Sequence, residues 1–225
     1  PNGKKLAFYR KDESKVGNYP LVDITTREAE LQNIKYPMAG MDNEVVKLGI
    51  YDIETEQTIF VQTGDSVDQY LTNVTWAPGE EFIYITILNR DQNQIWLNQY
   101  STTDGSFVKT LFEEKSKTWI EPELPMVFLK NNPKQFIWFS ERNGWMHMYL
   151  YTTEGQPLVE NALTQGDWVV TEFLGFSQSG NEVYFSGTKD GVLENHIYSV
   201  DLKSKKVNQL TREHGTHSAI FSQSL

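Results

Sequence analysis

The 225-residue chain contains no cysteine. Disulfides, thiolate zinc sites and cysteine nucleophiles are therefore excluded, while the redox compartment stays open, because an exported protein need not carry disulfides. Positive charge is also scarce. Twenty Lys and Arg face 30 Asp and Glu, a formal charge of −10. That balance repels nucleic-acid phosphates and anionic lipid, and no basic run reverses it, so no nucleic-acid partner is expected. Long apolar runs are missing. Stretches such as Met126-Val127-Phe128-Leu129 fall far short of the roughly 20 residues that cross a bilayer, so no membrane span is expected. The opening "PNGKKLAFYR" has neither an initiator Met nor an apolar leader, and reads as a segment of something longer. What the chain does have is 39% hydrophobic and 13% aromatic residues against 22% charged, the composition of a folded chain rich in strand formers.

Self-similarity organises those residues. Four related openings, each a turn followed by a strand, recur as "WAPGEEFIYI" from Trp76, "FLKNNPKQFIWF" from Phe128, "FSQSGNEVYFS" from Phe176 and "PNGKKLAFYR" from Pro1. The aromatic starts Trp76, Phe128, Phe176 and Phe221 are 52, 48 and 45 residues apart, close to the length of a propeller blade. A second strand built around a tyrosine follows in each unit: "VKLGIYDI", "QIWLNQYS", "HMYLYT" and "HIYSVD". Polar turns come next ("ETEQ", "TTDGS", "TTEGQ", "LKSKK"), then a third strand ("TIFVQTGD", "VKTLFEEK", "VENALTQGD", "VNQLTREHG"). The chain then crosses over through "SKTWIEPELP" or "GDWVVTEFLG" to the next aromatic.

These repeats indicate an all-β fold: a β-propeller fragment of about four blades, each a four-stranded antiparallel sheet. The whole of 1–225 is then one partial propeller domain, with approximate units 1–75, 76–127, 128–175 and 176–225. The alternative is an antiparallel sandwich with coincidental spacing. Against it, Phe136–Phe139 is apolar at four successive positions, as expected of a strand covered on both faces. The first unit carries a long insert at 11–45. Within it a capping box, Thr25 to Glu28, predicts one or two helical turns over Thr25–Leu31, ended before Pro37. The insert is equally readable as a functional element or a packing arm.

Several residues carry side chains capable of chemistry. In "FIWFSERNGWMHMY" a two-residue type I′ turn at Asn143-Gly144 would pair Arg142 with Trp145, Glu141 with Met146 and Ser140 with His147. A hydrogen-bonded Ser140–His147 pair inside a hairpin is the expectation, not a nucleophile and base, because no Gly-x-Ser-x-Gly elbow exists in the chain. His196 begins a second strand as His147 does, which favours a structural role for both. His214 and His217 are three apart, with no third ligand at a motif spacing, so a polar turn is expected and no metal. The carboxylate pairs Glu80-Glu81 and Glu113-Glu114 stand beside turns and read as solvated charge, not as a glycosidase pair. "TTDGSF" fails the sialidase Asp-box pattern. Asn73-Val74-Thr75 is a glycosylation sequon.

Taken together, "KLAFYRKDESKV", "YPMAG", "VKLGIYDI", "YLTNVTWAP", "LNRDQNQIWL", "EEKSKTWIE", "FIWFSERNGWMHMYLY", "LTQGDWVVTEFLGF" and "GTHSAIFS" resemble the N-terminal propeller of the dipeptidyl peptidase IV family of serine peptidases, in order and over essentially the whole chain. The resemblance implies an exopeptidase releasing dipeptides with proline or alanine second. In that family an eight-bladed propeller caps an α/β-hydrolase domain, with the active site in the cavity between them. The family nucleophile motif, Gly-Trp-Ser-Tyr-Gly-Gly, has no match here, so no catalytic residue is expected in this chain and its hydrolase domain is a partner within the parent chain. The family's amine-anchoring acidic helix is not matched either, since Asp167-Trp168-Val169-Val170-Thr171-Glu172 lies in a crossover and lacks the adjacent glutamates.

By position, Lys117-Thr118-Trp119-Ile120-Glu121-Pro122-Glu123 corresponds to a family loop lining an extended subsite, although the family's basic and aromatic contacts are not reproduced. Trp119 and Glu121 are the substrate-cavity candidates, with packing of Trp119 into an interblade seam as the competing reading. The resemblance implies no cofactor, a peptide substrate and a periplasmic, cell-surface or extracellular location. A free-standing propeller binding peptides or carbohydrates is the alternative. The two ends are complementary: Ala219–Ser222 could pair with Leu6–Arg10 to close a four-blade ring, the edges could stay open, or two copies could associate. Unprotected edges favour a homodimer.

Overall fold

The computed structural model describes residues 2–64, 68–154 and 161–222. Among them there is no helix, and 17 strands run in chain order. The first sheet is three-stranded, β1 (Lys5–Asp12), β4 (Val45–Asp52) and β5 (Thr58–Phe60), in the order β1-β4-β5. Three four-stranded antiparallel meanders follow. They are β6 (Gln69–Trp76), β7 (Phe82–Asn89), β8 (Gln94–Ser101) and β9 (Phe107–Lys115); then β10 (Val127–Leu129), β11 (Asn132–Ser140), β12 (His147–Thr152) and β13 (Asn161–Ala162); then β14 (Val170–Phe176), β15 (Glu182–Gly187), β16 (His196–Asp201) and β17 (Val207–Gln209). Residues 155–160, which include the end of the expected "TTEGQ" turn and the first letters of "VENALTQGD", lie outside the described residues.

Side-chain alternation explains how the sheets meet. In β7, Ile83, Ile85 and Ile87 pack with Leu48 and Ile50 of the first sheet, while Tyr84 and Leu88 face the third sheet with Phe136 and Trp138. In β11 the odd residues Ile137 and Phe139 turn the other way, onto Val183, Phe185 and Tyr198 of the fourth sheet. Phe136–Phe139 is apolar at every position because each face meets a different neighbour. This is a row of successive propeller blades, each seam sealed by the inward residues of two sheets. Polar ties cross the seams as well: Gln62 N–H donates to the Gly105 carbonyl at 2.8 Å, Lys109 Nζ to the Thr153 carbonyl at 2.6 Å and Lys130 Nζ to the Gln178 carbonyl at 3.1 Å.

The aromatic landmarks sit one strand later than expected. Trp76, Phe128 and Phe176 lie within the first strand of their sheets, so counting units from them separates that strand from the other three. The expected helix in the insert does not form. Residues 11–45 instead hold a hairpin, β2 (Asn18–Asp23) paired with β3 (Glu30–Lys35) in the register Asn18↔Lys35 to Asp23↔Glu30. Thr25 does not cap a helix but donates its hydroxyl and its N–H to Asp23 Oδ1 at 2.7 and 2.9 Å. One helical turn carries the full nucleation cost for few hydrogen bonds, whereas the flanking residues gain a six-pair ladder. The ring closure does not form either: β1 pairs only with β4 among the described residues, and Phe221 stacks on Tyr184 at 4.4 Å.

Candidate functional site

Ser140 and His147 are cross-strand partners, as the hairpin register requires. The turn that joins their strands is not the expected two-residue one. Gly144 N–H donates to the Glu141 carbonyl at 2.7 Å, so Arg142 and Asn143 are its corners, and only Gly144 has a positive φ, +91°. A type I′ turn needs positive φ at both central residues, and Asn143 does not supply it.

Nor do the two side chains bond to each other. Ser140 Oγ donates to Glu114 Oε1 at 2.5 Å and accepts from Arg142 N–H and Nε–H, each at 3.1 Å. His147, 1% exposed, donates from Nε2 to the Gly166 carbonyl at 2.9 Å, and its Nδ1 lies 3.0 Å from Thr164 Oγ1. Thr164 Oγ1 also accepts the Met148 N–H at 3.0 Å, so its hydroxyl hydrogen is free to serve Nδ1 and the imidazole is satisfied while neutral. Burial pushes its pKa down, with the Gly166 bond acting the other way. A lone alkoxide precursor beside a buried, fully bonded imidazole has no general base.

The fourth sheet repeats the device: His196 Nδ1 lies 3.2 Å from Thr211 Oγ1, which accepts Ile197 N–H at 3.0 Å. Both threonines follow a leucine just after the fourth strand of their sheets, at Leu163-Thr164 and Leu210-Thr211. That recurrence is visible in the sequence. His214 bonds through Nδ1 to Glu194 Oε1 at 2.8 Å and His217 through Nε2 to the Glu213 carbonyl at 2.7 Å. No group of three metal-ligating side chains suited to a metal ion occurs among the described residues.

Ser140 instead helps to wall a cavity of about 220 Å³ in the seam between the second and third sheets. The end of β9 contributes Glu114, the end of β11 contributes Trp138 and Ser140, the following turn contributes Glu141 and Arg142, and the crossover from β9 to β10 contributes Trp119 and Glu121. Both sequence candidates therefore line one cavity. Trp119 does not fill the seam: it is 61% exposed, and its neighbour Ile120 packs on the core instead.

Two attachments hold the crossover in place. Ile120 N–H donates to the Gln92 carbonyl at 2.7 Å, and Asn73 Nδ2 donates to the carbonyls of Pro122 at 2.8 Å and Leu124 at 3.0 Å. Behind the wall, Arg142 reaches Glu114 Oε2 at 3.0 Å and lies 4.3 Å above the Tyr149 ring. The expectation that Glu114 is solvated is corrected: its side chain is 12% exposed, because period two places it on the core face of Phe112. At the cavity mouth partial desolvation, then the charges of Glu121 and Glu123, raise the Glu141 pKa.

No helix among the described residues is long and apolar enough to cross a membrane. The chain matches, over residues 1–225, the family described as the dipeptidyl peptidase IV N-terminal region. A relative assigned as dipeptidyl peptidase 4 of Aspergillus fumigatus is 28% identical across 100% of this chain and 30% of its own length. Another, assigned as dipeptidyl-aminopeptidase B of Coccidioides posadasii, is 28% identical over 98% of this chain and 27% of its own. Among solved structures, one assigned as a dipeptidyl aminopeptidase IV of Bacteroides ovatus superposes with a TM-score of 0.84 at 40% identity, covering 91% of this chain and 31% of that one. Dipeptidyl peptidase 4 of Porphyromonas gingivalis superposes with a TM-score of 0.85 at 25% identity, covering 99% and 31%. The chain thus spans under a third of the length of these relatives.

Proposed function

We propose a role that follows from the family to which this chain belongs, the dipeptidyl peptidase IV N-terminal region. It is a non-catalytic propeller segment of a serine exopeptidase that releases N-terminal X-Pro and X-Ala dipeptides, and its blades wall the active-site cavity so that only unfolded chain ends enter. The observation that carries this reading is the match from first residue to last, by a chain that spans 30% of a dipeptidyl peptidase 4 relative. The nucleophile and its base then belong to a hydrolase domain of the same parent chain. The bonding of Ser140 and His147 to other partners supports that division of labour.

Trp119 and Glu121 are the residues assigned to substrate, since an exposed indole beside a carboxylate at a cavity wall offers a peptide both an apolar face and a charge. The chemistry calls for no cofactor, and the family resemblance supports a periplasmic, cell-surface or extracellular location. The β2–β3 hairpin supports a homodimer: Val22, Ile24 and Leu31 are 63%, 81% and 65% exposed on an arm with no covering layer among the described residues, an arrangement typical of contact surfaces.

The test uses the whole protein that carries this chain. Dipeptides are expected from a short Ala-Pro-led peptide and not from the same sequence displayed at the end of a folded domain, and Trp119→Ala is expected to raise KM with little change in kcat. Equal release from the folded and unfolded ends would contradict the gating role.

A further inference from the structure

In the fourth sheet one carboxylate is shared by two imidazoles. Glu194, in the loop between β15 and β16, meets His196 Nε2 at 2.7 Å with one oxygen and His214 Nδ1 at 2.8 Å with the other. The two rings differ in freedom. His196 is 2% exposed and fixed on β16, whereas the His214 side chain is 97% exposed on the crossover that leaves β17. Thr211 Oγ1 accepts the Ile197 N–H at 3.0 Å and keeps its hydroxyl hydrogen for His196 Nδ1, 3.2 Å away, which leaves the Nε2–H to donate to Glu194. One oxygen of the carboxylate is thereby anchored, and the other is aimed at the crossover.

A second set of contacts joins the same two segments without charge. Asn195 and Thr216 form an isolated parallel bridge, in which His217 N–H donates to the Asn195 carbonyl at 2.8 Å and Asn195 N–H to the Gly215 carbonyl at 3.3 Å. The His217 ring also stacks on His196 at 5.0 Å. So short a bridge opens locally at small free energy, and a charge contact beside it weighs in the balance. On the other side of Glu194 its own N–H donates to the Gly191 carbonyl at 3.1 Å, closing a turn whose corners Val192 and Leu193 are 83% and 91% exposed. Loop and crossover lie at the end of their blade that corresponds to the seam cavity, which is likewise built from a loop between second and third strands and a crossover after a fourth.

We propose that Glu194 and His214 form a pH-operated latch between the β15–β16 loop and the crossover leaving the fourth sheet, shut while His214 is a cation and released when it is neutral. A charged donor makes the stronger bond to a carboxylate, and a neutral imidazole loses that advantage. The surrounding charges leave the pair to itself. The loop also carries Lys189 and Asp190, β16 carries Tyr198, and the crossover carries Arg212, Glu213 and His217. Asp190 accepts from the Tyr198 hydroxyl at 2.7 Å, and Glu194 is the one charge that acts on His214.

The bond to Glu194 raises the His214 pKa, and the bonds from His214 and then His196 lower that of Glu194. A ring whose folded pKa is raised contributes stability that is complete below its unfolded value, about 6.5, and is lost as pH rises through the folded one. The carboxylate contributes above its unfolded value, about 4.3, and that part is lost as pH falls through the lowered folded one. The latch is therefore shut in mildly acid solution and opens toward alkaline pH.

The experiment follows amide hydrogen exchange over 188–196 and 211–217 in the whole protein, by mass spectrometry, with each rate corrected for the chemical effect of pH. Protection of both segments is expected to be about twofold to fivefold higher at a pH of about 5.5 than at about 8.5, the scale of one exposed charge contact. Glu194→Gln keeps an acceptor for His196 and should remove the pH dependence, as should His214→Ala. Exchange of the His214 ring carbon hydrogen gives its pKa on the same samples, and this should fall in Glu194→Gln. Equal protection at both pH values in the parent, a pH dependence that persists in His214→Ala, or a His214 ring that titrates alike with Glu and Gln at 194 would overturn the proposal.

Discussion

Replacing Arg142 by alanine probes the seam that shapes the cavity. Its guanidinium lies 3.0 Å from Glu114, with side chains 22% and 12% exposed, and stacks 4.3 Å above Tyr149. Removing one member of a fully buried pair costs about 3–5 kcal/mol, and of an exposed pair about 0–1 kcal/mol. Glu114 keeps its bond from the Ser140 hydroxyl, so a loss of about 2 kcal/mol is expected for the pair, with about 0.5–1 kcal/mol more for the ring contact. The total of about 2–3 kcal/mol corresponds to a fall in Tm of about 5–10 °C for a unit of this size. Scanning calorimetry of Arg142→Ala, Glu114→Gln and the double variant carrying both of these substitutions measures it. The double variant should lose less than the sum of its singles by about 1–2 kcal/mol, because it leaves no buried charge unpaired. A Tm within about 1 °C of the parent for Arg142→Ala, or strict additivity in the double variant, would refute the reasoning.

Other expectations follow from the same geometry. Asn73 uses both amide hydrogens on the crossover, so peptide mapping of protein from a glycosylating host should find its sequon unoccupied in folded material. Asn73→Ala should cost about 1–3 kcal/mol and speed hydrogen exchange over 119–124, and exchange unchanged there would show that Asn73 does not anchor the crossover. The His147 pKa is depressed by burial, so the unfolded chain takes the proton first. The stability contributed by the neutral ring is complete above pH of about 6.5 and is lost as pH falls from there toward the lower folded value. His147→Gln should therefore flatten the acid limb of a denaturation-midpoint profile, by up to about 1.4 kcal/mol per pH unit. A profile parallel to the parent's would contradict the buried neutral ring.

The parts of this fold that are legible in the sequence are those where period two is unbroken. Strands β7, β8, β11 and β16 show it, and the two-faced burial of Phe136–Phe139 follows from their composition alone. The first strand of each four-stranded sheet reads as crossover for a physical reason. Register shifts interrupt β6 between Thr72 and Thr75 and β14 at two places, where a bulge puts neighbouring side chains out of phase with any simple pattern, and β10 is only three residues long. The insert misleads because a capping box is a local signal, while the β2–β3 ladder joins residues up to 17 apart. At the cavity, correspondence with the family's loop is what names Trp119 and Glu121, and the structure places both on one lining. Glu114 and Arg142 escape a sequence reading because they belong to different sheets, and only the seam brings them to 3.0 Å.

The division between wall and catalyst is tested most directly by assaying this 225-residue chain beside the whole protein on an Ala-Pro chromogenic substrate. The account predicts dipeptide release by the whole protein, unaffected by Ser140→Ala, and none above the blank by the chain alone. Turnover by the isolated chain that disappears on Ser140→Ala would contradict it.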